Sequence, residues 1–589
     1  MNGETASATP DITSVPATAD DGKPQKSRLE RLWTVWRRKA LTLREGQLFL
    51  LLAVIIGLFS GLIVVCFRVA IEWTRFWLLG SSMEPSRLRV LLAPTLAGFG
   101  VALLVLYVFK RSRGSGVNQT KAAVFIFDGY VPFRTVIGKF LTCALAIGSG
   151  QSLGPEDPSL QMGAGIASTL GRGLRLSRDK QRLLAPIGAA AGLAAAFNAP
   201  ISAVIFVIEE IIGTWSGGVL GAVILAAISS VVVMREFLGS APMFRVPAME
   251  FRRPVELIGY AVLGVISGVA SVAFLKFIAY ARPRLRQLPR WTQFIQPAGA
   301  GLLIGIIGIW LPQVMGSGYP IIDQALHEQF LWRMLLLLGL FKILATGISF
   351  VSGSPGGMFA PTLFIGAMLG GAVGGFEHLL AHQPTESIAG FALVGMGTFF
   401  AAFLRVPITS VFMVLEVSGH YSMIVPTILS NMIAYFISRK YQKVALFDFL
   451  ARQDGFFLPS IEEMREQTAP RVEEAMRPGS GIVFREDHIA DMFREAESAT
   501  ASQFLFFQRE GGWRIVVRDE LRQLTLGESG PVEIPSKGPV PQLYPDQHLD
   551  EALRIIGDWP VVPVVNRANL EKLEGVLSLG DILHKYRIS

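Results

Sequence analysis

An apolar run that begins at Gln47 and ends only at Leu79 leaves its backbone few ways to fold. Hydrocarbon offers no water to satisfy N–H and C=O groups, so such a stretch folds as a membrane-spanning helix. Similar runs follow at Val90–Phe109, Val219–Met234, Leu257–Phe277, Ile295–Leu311, Trp332–Phe350 and Ile424–Ile437. Between them lie shorter, glycine-punctuated pieces at Val136–Ile147, Leu160–Leu170, Leu183–Phe197 and Ile201–Ile212. These are too short to cross a bilayer alone. With long membrane neighbours on both sides, they read as half-helices meeting inside a membrane protein.

Composition agrees. Of 589 residues, 51% are hydrophobic and only 17% charged, a balance shifted from soluble averages toward membrane proteins. The 60 glycines suit close helix packing and broken helices in lipid. A net charge of +8 could suggest nucleic acid, but the basic residues crowd at the ends of apolar runs, as between Arg28 and Lys39. That is the pattern of a juxtamembrane cytoplasmic flank, so no nucleic-acid partner is expected. Cys66 and Cys143 both sit within apolar runs and read as packing residues. Residues 1–27 lack an apolar core and are expected to form a disordered tail, not a signal peptide. Charges return near Phe447, so a soluble domain is expected over residues 451–589, after a membrane domain over 28–450.

The membrane region repeats itself. Pro158-Ser-Leu-Gln-Met-Gly-Ala164 recurs as Pro361-Thr-Leu-Phe-Ile-Gly-Ala367. Downstream, Pro200-Ile-Ser-Ala-Val-Ile-Phe-Val-Ile-Glu209 recurs as Pro407-Ile-Thr-Ser-Val-Phe-Met-Val-Leu-Glu416, with the proline-to-glutamate spacing unchanged. Two matched pairs in one order define two related halves, at about 45–240 and 250–440. Interrupted apolar segments at corresponding places in two halves point to a central transport site.

Both repeats open with a glycine-rich loop, then proline, then an apolar helix: Gly148 to Pro158 in one half, Gly353 to Pro361 in the other. Proline suits the first helical turn, and glycine lets the preceding backbone approach a ligand. The result is unpaired helix N-termini at membrane depth, a setting that suits an anion. Binding without lysine or arginine would leave the ion free to depart.

These segments resemble the signature motifs of the CLC family of chloride channels and transporters. The residues concerned are Gly114-Ser-Gly-Val-Asn118, Gly154-Pro-Glu-Asp-Pro158 and Gly357-Met-Phe-Ala-Pro361, in that order, together with Ala195-Ala-Phe-Asn-Ala-Pro200. The resemblance covers roughly residues 45–450. It implies an all-α polytopic membrane protein with two inverted repeats and broken helices. It also implies a homodimer in a lipid bilayer, both termini cytoplasmic, in a bacterial inner or plasma membrane. Chloride and protons would be its partners, with no cofactor, no metal and no enzymatic activity. The chloride ligands it implies are the Ser115 hydroxyl and the amides of Met358 and Phe359. A tyrosine position falls on Phe447, where the hydroxyl is lost. Serine at 115 implies a preference for chloride.

Glu156 matches the family's gating glutamate, whose carboxylate competes with chloride and carries a proton. Pro155 and Asp157 depart from the usual arginine and glycine. Asp157 is expected either to disfavour charge on Glu156 or to cap the helix beginning at Pro158. Glu210, second of the Glu209–Glu210 pair, matches the inner proton-transfer glutamate of exchangers; the plainer alternative is a polar helix end. The implied function is proton-coupled chloride exchange, with a passive voltage- or pH-gated chloride channel as the alternative. Gly150-Gln-Ser-Leu-Gly154 fits a hydrolase elbow, but lies between membrane pieces, not after a sheet strand. Past residue 450 the chain resembles a tandem pair of CBS domains, an α/β unit. There Ser578 and Asp581 match the pattern by which some copies hold an adenine nucleotide, while the copy around Ile515 lacks it.

Overall fold

The chain's computed structural model describes residues 45–80, 86–213, 217–244, 246–247, 254–381, 388–459, 470–478, 482–484, 504–509, 512–517 and 537–588. The expected tail and basic flank fall outside this range, as does much of the first CBS-like copy.

The first half runs α1 (Glu45–Leu79), α2 (Arg87–Leu103), α3 (Gly116–Phe125), α4 (Phe133–Gly148), α5 (Glu156–Gly173), α6 (Arg178–Phe197), α7 (Pro200–Phe206) and α8 (Gly217–Leu238). The second runs α9 (Leu257–Gln287), α10 (Gln296–Trp310), α11 (Tyr319–Leu326), α12 (Trp332–Val351), α13 (Phe359–Ala381), α14 (Ile388–Leu404), α15 (Pro407–Ser418) and α16 (Ile424–Tyr441). A short α17 (Leu446–Gln453) follows. Among the described residues, seven helices are long and apolar enough to cross a membrane. Trp77, Leu96 and Trp310 are among the large apolar side chains left exposed, as a lipid-facing surface requires. The pieces read from hydropathy as Leu160–Leu170 and Leu183–Phe197 belong to longer helices, the first the middle of α5 (18 residues) and the second the C-terminal three-quarters of α6 (20 residues). Their first turns are polar, so hydropathy alone starts them late.

The two halves pack alike. A Cβ on Gly163 would collide with the Gly188 carbonyl, and one on Gly366 with the Gly395 carbonyl. Glycine is needed for α5 to lie on α6, and α13 on α14, at this separation.

The repeated proline-to-glutamate segments interlock. Glu209, just past α7, accepts the N–H groups of Ile408 (3.4 Å) and Thr409 (2.8 Å) and the Thr409 hydroxyl (2.7 Å), capping α15. Glu416, in the last turn of α15, accepts the N–H groups of Ile201 (2.9 Å) and Ser202 (2.7 Å), capping α7. Each helix's acidic end therefore caps the other's start, which requires α7 and α15 to run antiparallel. The Gly154 and Gly357 backbones likewise exchange reciprocal hydrogen bonds of 2.7 and 2.8 Å in an antiparallel bridge. Two reciprocal, antiparallel contacts between matched residues are the signature of an inverted repeat.

Beyond α17 lies an α/β region. It includes α18 (Val472–Ala475), α19 (Leu549–Ile556) and α20 (Leu579–Ile588). Its strands are β1 (Arg477–Pro478), β2 (Ile482–Phe484), β3 (Phe504–Arg509), β4 (Gly512–Val517), β5 (Lys537–Val540), β6 (Val562–Asn566) and β7 (Asn569–Leu577). They form one sheet in the order β1-β7-β6 and another in the order β2-β3-β4-β5. Phe506, Trp513 and Ile515 share one core with Leu549, Val564 and Leu577.

Glu209→Ala should lower the thermal unfolding midpoint of the detergent-purified protein, the change corresponding to about 1–2 kcal/mol for a lost cap. Glu416→Ala should do the same from the opposite half, and Glu209→Gln should cost less. Differential scanning fluorimetry reads all three.

Candidate anion pathway

α5 and α13 begin where the Gly154–Gly357 bridge ends, so their N-termini meet at the centre of the membrane domain. The approach is tight: a Cβ on Gly154 would collide with the Glu156 carboxylate. Glu156 is fully buried. One of its oxygens accepts the Ala360 N–H (3.2 Å) in the first turn of α13, and the other accepts the Tyr319 hydroxyl. The carboxylate thus occupies a helix N-terminus, the position an anion would take.

Tyr319 was not foreseen, although a signal existed. Gly316-Ser-Gly-Tyr-Pro320 repeats the Gly-Ser-Gly of residues 114–116, and Gly318 turns with φ +85° to start α11 at Tyr319. Lys342 secures that turn. Its ammonium, wholly buried, donates to the carbonyls of Val314 (2.9 Å) and Gly316 (2.8 Å). Tyr319 and Pro155 also line a cavity of about 840 Å³, together with Arg68 and the Arg75–Glu72 pair, so this face of the site opens onto a vestibule with one arginine beyond that pair.

Toward α17 the pathway is walled by aromatic rings. Phe359 packs edge-on against Phe206 (5.2 Å between centroids) and Phe447 (6.3 Å), and Phe447 against Phe206 (6.4 Å). Phe447 therefore stands beside Phe359 and contributes a ring and no hydroxyl. Met358 and Phe359 are buried at the start of α13.

One of the two roles expected of Asp157, the cap of its own helix, is not what the structure has. The helix begins at Glu156, and Asp157 caps neither it nor a helix from Pro158. Its oxygens accept the N–H groups of Val117 (2.7 Å) and Gly116 (3.0 Å) and the Ser115 hydroxyl (3.3 Å). Asp157 thus caps α3, an element forty positions away. Ser115 is buried where expected, with its hydroxyl directed at that carboxylate.

Past α7 the winding widens to a π turn over Val207–Ile212, a feature often found at functional sites. It separates the two glutamates. Glu209 is the α15 cap, while Glu210 faces Lys121 of α3. The Lys121 ammonium, fully buried, lies 2.8 Å from Glu210 and 3.2 Å from Asp448, next to Phe447. Lys121 and Asp448 were also missed, since hydropathy does not show which acid a buried lysine meets.

In the C-terminal region Ser578 and Asp581 do come together. Asp581 accepts the Ser578 hydroxyl (2.6 Å) and N–H (2.9 Å), and Arg477 reaches the same oxygen at 3.2 Å. These contacts cap α20 and engage the nucleotide-pattern residues within the protein.

The family described as voltage gated chloride channel matches residues 97–439, and the CBS domain matches residues 532–587. This chain belongs to the CLC chloride channel family. Among similar proteins is one named a ClcB-like chloride channel protein, from Ralstonia nicotianae. It is 32% identical over 398 residues, 66% of this chain and 92% of the relative. An H(+)/Cl(−) exchange transporter ClcA from Vibrio campbellii is 32% identical over 404 residues, 66% of this chain and 86% of its own. A slow cyanobacterial Cl−/H+ antiporter superposes with a TM-score of 0.64 at 23% identity, covering 70% of this chain and 99% of the other. A eukaryotic CLC transporter gives 0.63 at 18%, covering 93% of this chain and 98% of the other. The CLC fold and integral membrane character are thereby shown, while the CBS family match covers one copy.

Tyr319→Phe removes the hydroxyl that pins Glu156. A hydrogen bond to a charged group is worth about 1.5–3 kcal/mol, so the pinned conformer should become roughly ten-fold or more less favoured. Chloride efflux from liposomes at neutral pH should rise accordingly, and an unchanged rate would remove Tyr319 from the gate.

Proposed function

We propose that this protein exchanges chloride for protons across the membrane, with Glu156 as the gate and Glu210 as the inner proton relay. The observation that carries this reading is the position of the Glu156 carboxylate at the start of α13, held by the Ala360 N–H. A carboxylate and a chloride cannot both occupy that place. Ionised, Glu156 fills the site; protonated, it loses its charge-assisted hold on the amide and chloride can enter. Each opening therefore consumes a proton, which couples the two fluxes.

Glu210 supports exchange over a channel. An acid within the membrane domain is costly to keep, and this one is retained beside a buried lysine. Lys121 divides its charge between Glu210 and Asp448, so Glu210 can gain or lose a proton while the lysine keeps one carboxylate partner. The proton would pass between Glu210 and Glu156 alongside the Phe206–Phe359–Phe447 wall. The protein is read as a homodimer with one pathway per subunit, its C-terminal region cytoplasmic. That region is proposed as residues 451–589, following a membrane domain over 28–450. It is assigned a structural role, because Ser578 and Asp581 already satisfy one another and Arg477.

Reconstituted wild-type protein should move chloride faster as pH falls, because protonation opens the gate. Glu156→Gln mimics the protonated form at nearly equal size, so its chloride flux should vary little with pH and carry no protons. Identical pH profiles for wild type and Glu156→Gln would refute the gating role.

Glu210→Gln should leave chloride flux while removing proton movement, because it takes away only the inner titratable group. The amide still accepts from Lys121, which limits the cost of breaking a buried pair. Simultaneous chloride and pH electrode traces check this, and coupled proton movement in the variant would contradict it.

A further inference from the structure

We infer that Asp157 is a resident anion of the transport pathway, a built-in carboxylate that occupies the donors at the start of α3 and withholds Ser115 from the transported ion. This inference rests on the transport reading above.

Three observations support it. The donors at the start of α3 are those an anion would seek: two backbone N–H groups and a buried hydroxyl on consecutive residues, at the positive end of a helix. All three point at Asp157, whose two oxygens accept them. The side chain is also seated by design, since glycines flank it on both sides. A Cβ on Gly116 would collide with the Asp157 carbonyl, and one on Gly357 would come within 2.7 Å of the Asp157 Cβ. Asp157 and Ser115 are each only 3% exposed, so water does not compete for these donors.

Lys139 of α4, wholly buried, steadies the same turn, its ammonium donating to the Gly114 carbonyl (2.6 Å) one residue before Ser115. The start of α3 thus gathers serine, two amides and a lysine-held carbonyl around one built-in carboxylate. With Phe447 lacking a hydroxyl and Ser115 engaged, a chloride at the centre would find its backbone donors at the starts of α5 and α13. Selection among anions would then depend on those amides and the aromatic wall, not on the side chain at position 115.

A double-mutant cycle on the full-length purified protein tests this. Chloride binding is measured by calorimetry at constant ionic strength for wild type, Asp157→Gly, Ser115→Ala and the double variant. Removing Asp157 should expose the α3 donors, so Asp157→Gly should bind chloride about five-fold more tightly, the worth of one net hydrogen bond. Ser115→Ala should cancel that gain, weakening chloride far more in the Asp157→Gly background than in the wild-type background. If Asp157→Gly is not monodisperse, Asp157→Asn removes the charge at the same size and should give a smaller gain of the same sign. Equal Ser115→Ala effects in both backgrounds, or no gain from either Asp157 variant, would overturn the inference. Liposome flux separates the two readings. A wild type that transports chloride while the cycle shows no coupling overturns only the resident-anion role. A wild type that moves no anion overturns the transport reading and this one with it.

Discussion

Two backbone hydrogen bonds, exchanged between Gly154 and Gly357, hold this membrane domain's centre together. They join the glycine-rich breaks of the two halves back to back, and so fix where α5 and α13 begin. A side chain at either glycine would intrude on Glu156 or Asp157. The Glu209 and Glu416 caps repeat the same antiparallel exchange one layer away. Helix starts, caps and the central opening all follow from this pairing.

Bringing helix N-termini together has an electrostatic consequence. Each carries roughly half a positive charge on unpaired N–H groups, and converging ends repel unless an anion lies between them. The protein supplies its own: Glu156 at the start of α13 and Asp157 at the start of α3. They differ in what holds them. Glu156 has one backbone amide and one tyrosine hydroxyl, a hold that can be released. Asp157 has three donors and a nearby buried lysine, a hold suited to permanence. On the proposed reading, adjacent carboxylates take different roles, one as gate and one as fixture.

Much of this was legible in the sequence because inverted duplication preserves the residues that close the structure. The proline-to-glutamate spacing survives in both halves since each glutamate caps the other half's proline-led helix. The glycine-rich breaks survive since the bridge tolerates no Cβ. What stayed hidden depends on long-range partners. Asp157 meets Gly116 across 41 positions and Lys121 meets Glu210 across 89, and no local pattern encodes either meeting. Tyr319 was missed because its Gly-Ser-Gly turn lies outside the long apolar runs that organised the reading. The late helix starts at α5 and α6 have a related origin, because their polar first turns give no hydropathy signal.

The central claim is that anion and proton movements are obligatorily coupled through Glu156. Liposomes containing the wild-type protein, loaded with high chloride and placed in low chloride at equal pH inside and out, test it most directly. Outward chloride flow should draw protons inward against the gradient that develops, and an uncoupler should collapse the pH difference. Rapid chloride loss with no proton movement would contradict the account and identify a passive chloride channel.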